Sequence, residues 1–145
     1  MKTEVEYQLD LIQAIRAKGG HGRKQSNRFM VGVVDLYLIH PAFGTVFIEV
    51  KLMDTIPTFT RKTGVTKPQE EDISNVLKAG GHAGMVVIGP GTGRNDLILV
   101  SRRGIISHVT KEDFDQCPFR RTTKFQLQDL ILPICETISS PSLRT

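Results

Sequence analysis

Three charged side chains lie inside or beside apolar sequence that favours strands. Asp35 lies in the stretch Val33–Ile39, Glu49 lies in the stretch Thr45–Val50, and Lys51 follows that second stretch directly. Both stretches are rich in Val, Ile, Tyr and Phe, which favour β-strands. Acids are uncommon in such sequence, so these three residues are the first candidates for chemistry.

A short connector, His40–Gly44, separates the two stretches, and its Pro and Gly favour a turn, so the sequence predicts a β-hairpin. If the hairpin is symmetric about Ala42, Asp35 lies directly opposite Glu49, with Cβ atoms about 5 Å apart. Side chains alternate between the two faces of a strand, so Glu49 and Lys51 share one face.

Two carboxylates this close repel each other and destabilise a sheet unless their charge is compensated. A lysine compensates in part. A divalent cation such as Mg²⁺ does so more fully, because it takes oxygen ligands at roughly 2.1 Å and keeps several waters. Such an ion polarises a phosphoryl oxygen and lowers the pKa of a bound water. Lys51 would orient or activate that water. The set predicts phosphodiester hydrolysis; the alternative is a solvated sheet face with ordinary cross-strand ion pairs.

The order of these residues resembles the signature of the PD-(D/E)XK nuclease superfamily. Further segments are similar to the short stand-alone form of its VRR-NUC branch, which is phage-type or bacterial. The similar segments, spanning residues 4–90, include Gly32-Val-Val-Asp35, Glu49-Val50-Lys51, Lys67-Pro-Gln69, Ala79-Gly-Gly-His-Ala83 and the apolar run Met85–Ile88. The departure is Val34, where such enzymes often have a proline.

This resemblance implies an α/β fold with a restriction-endonuclease-like αβββαβ core, a mixed sheet flanked by helices. It also implies a metal-dependent endodeoxyribonuclease that uses Mg²⁺, with Mn²⁺ as a substitute. Asp35, Glu49 and the backbone carbonyl of Val50 would hold one or two ions, and Lys51 would position the nucleophilic water. Gln69 would support the lysine or the water.

The resemblance also implies a substrate, because similar short proteins act as homodimers on branched DNA such as Holliday junctions. A two-fold dimer suits a four-way junction, since two like strands must be cut symmetrically. A nickase, a nuclease of linear duplex and an RNA substrate remain alternatives. A non-catalytic nucleic-acid-binding protein is the competing class.

Helix 1 is predicted over Thr3–Lys18, with apolar residues at helical spacing and a Gly-Gly stop after it. Related nucleases often place a glutamate of this helix beside the metal. Counting back from the stop, Glu6 is the better match and Glu4 is the alternative. Acids at this position also simply complement the helix dipole.

Helix 2 is predicted to begin at Thr66-Lys-Pro-Gln69 and to end at Gly80-Gly81. Thr66 and Gln69 have capping-box spacing, which gives Gln69 a purely structural explanation. Gln69 also shares a helical face with Ile73, which directs it toward the sheet. The apolar run Ala83–Ile88 then predicts a buried strand reached by a crossover connection.

Two basic segments flank the hairpin. His21 to Gly32 is a polar connector and Met53 to Lys67 is a long segment without clear periodicity, which predicts a flexible flap. A dimer arm and a disordered loop are the alternatives for this segment. Basic residues supply sequence-independent affinity for phosphates. The predicted DNA-binding residues are Arg23, Lys24, Arg28, Arg61, Lys62 and Lys67.

The remaining sequence predicts strands over Asp96–Ser101 and Ile105–Val109, a short helix after Thr110, and a last amphipathic segment bent or stopped by Pro133. We expect one nuclease domain over residues 1–138, with a C-terminal extension from about residue 94. Residues 139–145 are expected to form a flexible tail.

Composition agrees with a single globular domain. The 145 residues are 39% hydrophobic and 23% charged, and the net charge of +4 favours a polyanionic partner. No apolar run reaches the length of a membrane span, so no membrane association is expected. The two cysteines, Cys117 and Cys135, lack metal-ligand spacing and are expected to be reduced thiols in the cytoplasm, or in a host cytoplasm if the protein is phage-encoded.

Overall fold

The computed structural model describes residues 2–25, 33–91, 95–117, 119–122 and 126–140. Within these ranges the secondary structure is, in chain order, α1 (Glu4–Ala17), β1 (His21–Lys24), β2 (Leu36–His40), β3 (Gly44–Leu52), β4 (Arg61–Lys62), α2 (Lys67–Lys78), β5 (His82–Pro90), β6 (Asp96–Val100), β7 (His108–Val109), α3 (Lys111–Asp115), β8 (Phe119–Arg121) and α4 (Leu127–Ser139). None of the helices in these ranges has the length and apolar character needed to cross a membrane.

The main sheet has six strands in the order β1-β2-β3-β5-β6-β8. β3 and β5 are parallel, joined by the crossover helix α2, and the other neighbouring pairs are antiparallel. β4 and β7 form a separate two-stranded sheet. The predicted restriction-endonuclease-like α/β fold is confirmed, because α1, β1, β2, β3, α2 and β5 follow the αβββαβ order with helices on both faces.

The two faces of this sheet bury different side chains of β3. Val46, Ile48 and Val50 face α1 and α4, where all three are fully buried. Phe47 faces α2 and α3 on the opposite side, in a second apolar cluster. Because alternate residues share a face, Glu49 and Lys51 lie on the α2 side with Phe47.

The hairpin between β2 and β3 turns over three residues, Pro41 to Phe43. Gly44 follows them with φ of 79°, a left-handed conformation that glycine adopts without steric penalty. Leu36 pairs with Ile48 and His40 pairs with Gly44. This register is centred on Ala42, so the predicted symmetry of the hairpin is confirmed. Extended by one residue, the register places Asp35, directly before β2, opposite Glu49.

The predicted connector is wrong at its start, because His21–Lys24 forms the edge strand β1. Its composition gives little strand signal, and tertiary contacts decide its structure. It pairs with β2, and Gly22 fits closely because a Cβ there would lie 2.6 Å from Leu38 Cδ2. The pattern of residue types in this segment does not predict its pairing with β2 or the close fit at Gly22.

The structure differs from three further predictions. Only His108–Val109 of the predicted strand Ile105–Val109 is a strand, paired with β4. Helix α4 continues through Pro133, which lies on its exposed side. The segment after β3 contains the short strand β4 rather than being irregular throughout. Arg28 and residues 141–145 lie outside the described residues.

Candidate active site

The site is built on the β2–β3 register. Asp35 is half-buried, and its Oδ2 accepts a hydrogen bond of 2.7 Å from the backbone N–H of Val50. Glu49 lies opposite, and its side chain is only 1% exposed. The sheet therefore holds two carboxyl groups against each other on the face that α2 covers.

Glu49 is an acid without adequate partners. Its Oε1 is buried and has no hydrogen-bond donor among the described residues. Burial first, and then the neighbouring Asp35 carboxyl, raise the pKa of Glu49 to about 9, while Lys51 acts in the opposite direction. Two ionised carboxylates cannot hydrogen-bond to each other, so this pair needs either a shared proton or a cation.

Lys51 supplies part of that charge. Its Nζ lies 3.6 Å from Glu49 Oε2, and its side chain is 14% exposed. The distance exceeds that of a good charge-assisted hydrogen bond, about 2.7–2.9 Å. The ammonium group thus sits beside the carboxyl pair with donor capacity left for a water or a phosphate oxygen.

Asp35 is fixed through its backbone by two residues that sequence reasoning missed. Gln25 donates its N–H to the carbonyl of Asp35 at 2.8 Å and its side-chain amide to the carbonyl of Val34 at 3.3 Å. Asp72 of α2 accepts the N–H of Val34 at 3.1 Å. The position of Asp72 in the first turns of α2 fits a helix-dipole partner, and it gives no sign of this contact across 38 residues.

The helix-1 acid that reaches this region is Glu4, not the favoured Glu6. Glu6 accepts hydrogen bonds from the backbone and hydroxyl of Thr3 in a capping box. Glu4 accepts the N–H of Leu52, at the end of β3, at 3.2 Å. It also contributes to the raised pKa of Glu49. The correction follows from the capping box, which turns Glu6 back toward the start of its own helix.

Gln69 occupies the capping position that its spacing allowed. Its Oε1 accepts the N–H of Thr66 at 2.9 Å, and its own N–H donates to the hydroxyl of Thr66. In the described structure no hydrogen bond joins it to Lys51 or Glu49. Its role in supporting the lysine stays a prediction.

The basic residues divide between different surfaces. Arg23 pairs with Tyr37 across β1 and β2, so it lies on the site's face of the sheet. Lys24, next to it, projects from the other face. Arg61 and Lys62 are exposed on β4, and Lys67 is exposed at the start of α2.

The donor set fits a hard cation that keeps much of its water. Across residues 2–25, 33–91, 95–117, 119–122 and 126–140, no three His, Cys, Asp or Glu side chains form a metal-binding group. The carboxyls of Asp35 and Glu49 nonetheless meet, and the unpartnered Oε1 of Glu49 needs a positive partner. Mg²⁺ is commonly bound through one or two carboxylates plus water and substrate oxygens.

Comparison with known proteins gives a structural likeness. The fold is similar to the 1.6 Å structure of Hjc, a Holliday junction resolvase from the archaeal hyperthermophile Archaeoglobus fulgidus. The TM-score is 0.52 at 10% identity, and the match covers 78% of this chain and 93% of that one. No protein-family model matches the sequence, and no curated protein matches it. At this identity the likeness concerns the fold.

Replacing Glu49 by Gln is expected to stabilise the metal-free protein at about pH 8. The pKa of Glu49 is about 9 in the folded state, whereas the pKa of a glutamate in an unfolded chain is about 4.3. Between these values the folded state keeps a proton that the unfolded state releases, so wild-type stability falls as pH rises. Gln loses no proton, and its amide can donate to Asp35.

Chemical unfolding in EDTA from about pH 5 to 8.5 measures the effect, which should grow with pH to a few kcal/mol. Glu71→Gln, at an exposed position of α2, is the control and should change little. A gain from E49Q that is the same at every pH would contradict a buried, protonated carboxyl.

Proposed function

We propose that this protein is a metal-dependent endodeoxyribonuclease of the PD-(D/E)XK type. The observation that carries the proposal is the buried Glu49 carboxyl held against Asp35, with Lys51 Nζ 3.6 Å away. Burial and like charge destabilise this arrangement in the absence of a cation. Perturbed acids of this kind cluster at functional sites, because chemistry requires the charges that folding disfavours.

The chain's own groups divide the work. Asp35, Glu49 and the carbonyl of Val50 would hold Mg²⁺ or Mn²⁺. The bound ion would supply Lewis acidity toward a phosphoryl oxygen and lower the pKa of a coordinated water. Lys51 orients the attacking water and stabilises the charge that develops on the phosphorus oxygens. Asp72 and Gln25 keep Asp35 in place through its backbone.

Branched DNA is the proposed substrate. The fold likeness to a Holliday junction resolvase supports it, as do the exposed Arg61 and Lys62 on the segment after β3. We propose a homodimer, since two equivalent strands of a four-way junction require two related sites. Membership of the VRR-NUC branch and a cytoplasmic location belong to the same proposal.

Mg²⁺ is expected to raise the unfolding temperature of the wild-type protein. An ion that binds only the folded state stabilises it by mass action, and the shift should grow with pH because the ion displaces a proton from the carboxyl pair. The shift in unfolding temperature is measured by differential scanning fluorimetry, without Mg²⁺ and with Mg²⁺ at about ten times its dissociation constant. Asp35→Asn and Glu49→Gln should abolish the shift and Glu71→Gln should preserve it; equal shifts in all four proteins would place the ion elsewhere.

Lys51→Ala is expected to reduce cleavage by at least about a hundredfold while folding and DNA binding persist, because the lysine acts on the water rather than on the core. The assay presents end-labelled four-way junction, nicked duplex, linear duplex and single strand with Mg²⁺, Mn²⁺ or EDTA. Lys111→Ala on α3 is the matched control. Paired cuts confined to the junction would support the full proposal.

Cutting of every substrate would keep the chemistry and remove the junction preference. Tight binding without cleavage under either ion would favour the competing class, a non-catalytic nucleic-acid-binding protein. Loss of folding in parallel with loss of activity in Lys51→Ala would contradict the role given to the lysine.

Replacing Arg61 and Lys62 together by Ala is expected to weaken DNA binding similarly for all sequences. Each phosphate contact contributes about 0.9 to the slope of log K against log salt concentration, so the slope should fall by about 2. Fluorescence anisotropy from 50 to 200 mM salt measures it, again with Lys111→Ala as control. An unchanged slope would remove β4 from the DNA interface.

A further inference from the structure

Phe59 is displayed to solvent in a way that folding does not explain. Its side chain is 84% exposed, whereas the other exposed large apolar residues in the described chain, Val5, Leu9 and Ile39, are between 38% and 50% exposed. An aromatic side chain can bury about 150–250 Å². Leaving nearly all of this surface in water forgoes that stabilisation, so a partner for the ring is the natural explanation.

The segment that carries Phe59 is anchored on both sides. Before it, Pro57 is buried, and Ile56 packs against β5 where a Cβ on Gly89 would lie 2.9 Å from Ile56 Cδ1. After it, β4 pairs with β7, and the hydroxyl of the buried Thr63 donates to the carbonyl of Ile106 at 2.6 Å. Only residues 58–60 project freely between these anchors, so the ring is presented from a fixed base.

That base lies next to the proposed active site. The segment continues directly from Lys51 and Leu52, and Met53 donates its N–H to the carbonyl of Ile88 at 2.8 Å. Ile56 belongs to the apolar cluster on the α2 side of the sheet, the face that also carries Glu49. The segment that displays Phe59 is therefore anchored on the same face of the sheet as the catalytic groups.

The charge around the ring indicates the kind of partner. Arg61 and Lys62 are exposed two and three residues after Phe59, and Asp54 is the single acid between Met53 and Lys67. Two cations beside the aromatic ring would not favour binding to an apolar protein surface. In a polyanion whose units have flat aromatic faces, the anionic groups would contact the cations and the flat faces would contact the ring. Nucleic acid is such a polymer.

We propose that Phe59 stacks on an unpaired base of the DNA that the site cuts, and this rests on the proposed function. Bases inside a duplex already stack on their neighbours, so the ligand class is DNA with exposed bases, such as a single strand or the open bases at a branch point. Arg61 and Lys62 contact the adjoining phosphates. Recognition by stacking tolerates any sequence, because every base has a π-face.

The chain has no tryptophan, so Phe59→Trp places a single fluorescent reporter at the site of the proposed stack. Binding is measured in EDTA on the Lys51→Ala background, so that no DNA is cut. Tryptophan fluorescence should be quenched on adding single-stranded DNA or four-way junction and should change little with blunt duplex. Phe59→Trp should bind as tightly as the parent protein.

Phe59→Ala should weaken binding of single strand and junction by about tenfold to a hundredfold, with duplex affinity nearly unchanged. The salt slope should not change, because stacking releases no counterions. Val5→Ala, which removes an exposed apolar side chain from α1, is the matched control and should leave all affinities unchanged.

Three results would overturn the proposal. Unchanged affinities in Phe59→Ala with no quenching in Phe59→Trp would exclude stacking, while the proposed nuclease function would stand. A shift toward monomer in sedimentation with Phe59→Ala, without an affinity change for DNA, would assign the ring to a contact between copies. Absence of DNA binding by the Lys51→Ala parent and by the wild-type protein would reject the proposed function itself.

Discussion

The structure depends on one constraint, the direct opposition of Asp35 and Glu49 across β2 and β3. The three-residue turn and Gly44 set this register. A slip of one residue would move Glu49 to the face packed by α1 and α4 and would put an apolar neighbour in the site. The same register that buries Ile48 and Val50 therefore also brings the two acids together, so the core and the site cannot be varied independently.

The parallel pairing of β3 and β5 extends this constraint to α2. A parallel neighbour requires a crossover connection, which α2 provides. That helix crosses the site's face and carries Asp72, which accepts the N–H of Val34 directly before Asp35. One element thus covers the α2-side core through Ile73 and, together with Gln25, holds the backbone around Asp35 in place.

Local signals predicted much of this arrangement. Capping residues marked the starts of α1 and α2, and alternation with a short turn gave the hairpin register. Elements that depend on contacts between distant parts of the chain were not predictable. β1 exists because it pairs with β2, and β4 exists because it pairs with β7, which lies 46 to 48 residues further along the sequence. Gln25 and Asp72 were missed, and Glu4 was ranked below Glu6, for the same reason: their contacts are made with the backbone of other elements and leave no local pattern.

A purely structural explanation of the acids is harder to sustain than the catalytic one. A buried ion pair stabilises a protein only with close geometry and completed hydrogen bonds. Here Lys51 is 3.6 Å from Glu49, and the other carboxyl oxygen of Glu49 has no donor in the described structure. Well-packed apolar residues would serve the sheet better at this place. Local conflicts of this kind concentrate at functional sites, so the site itself, rather than a fold shared at 10% identity, is the stronger argument for a nuclease.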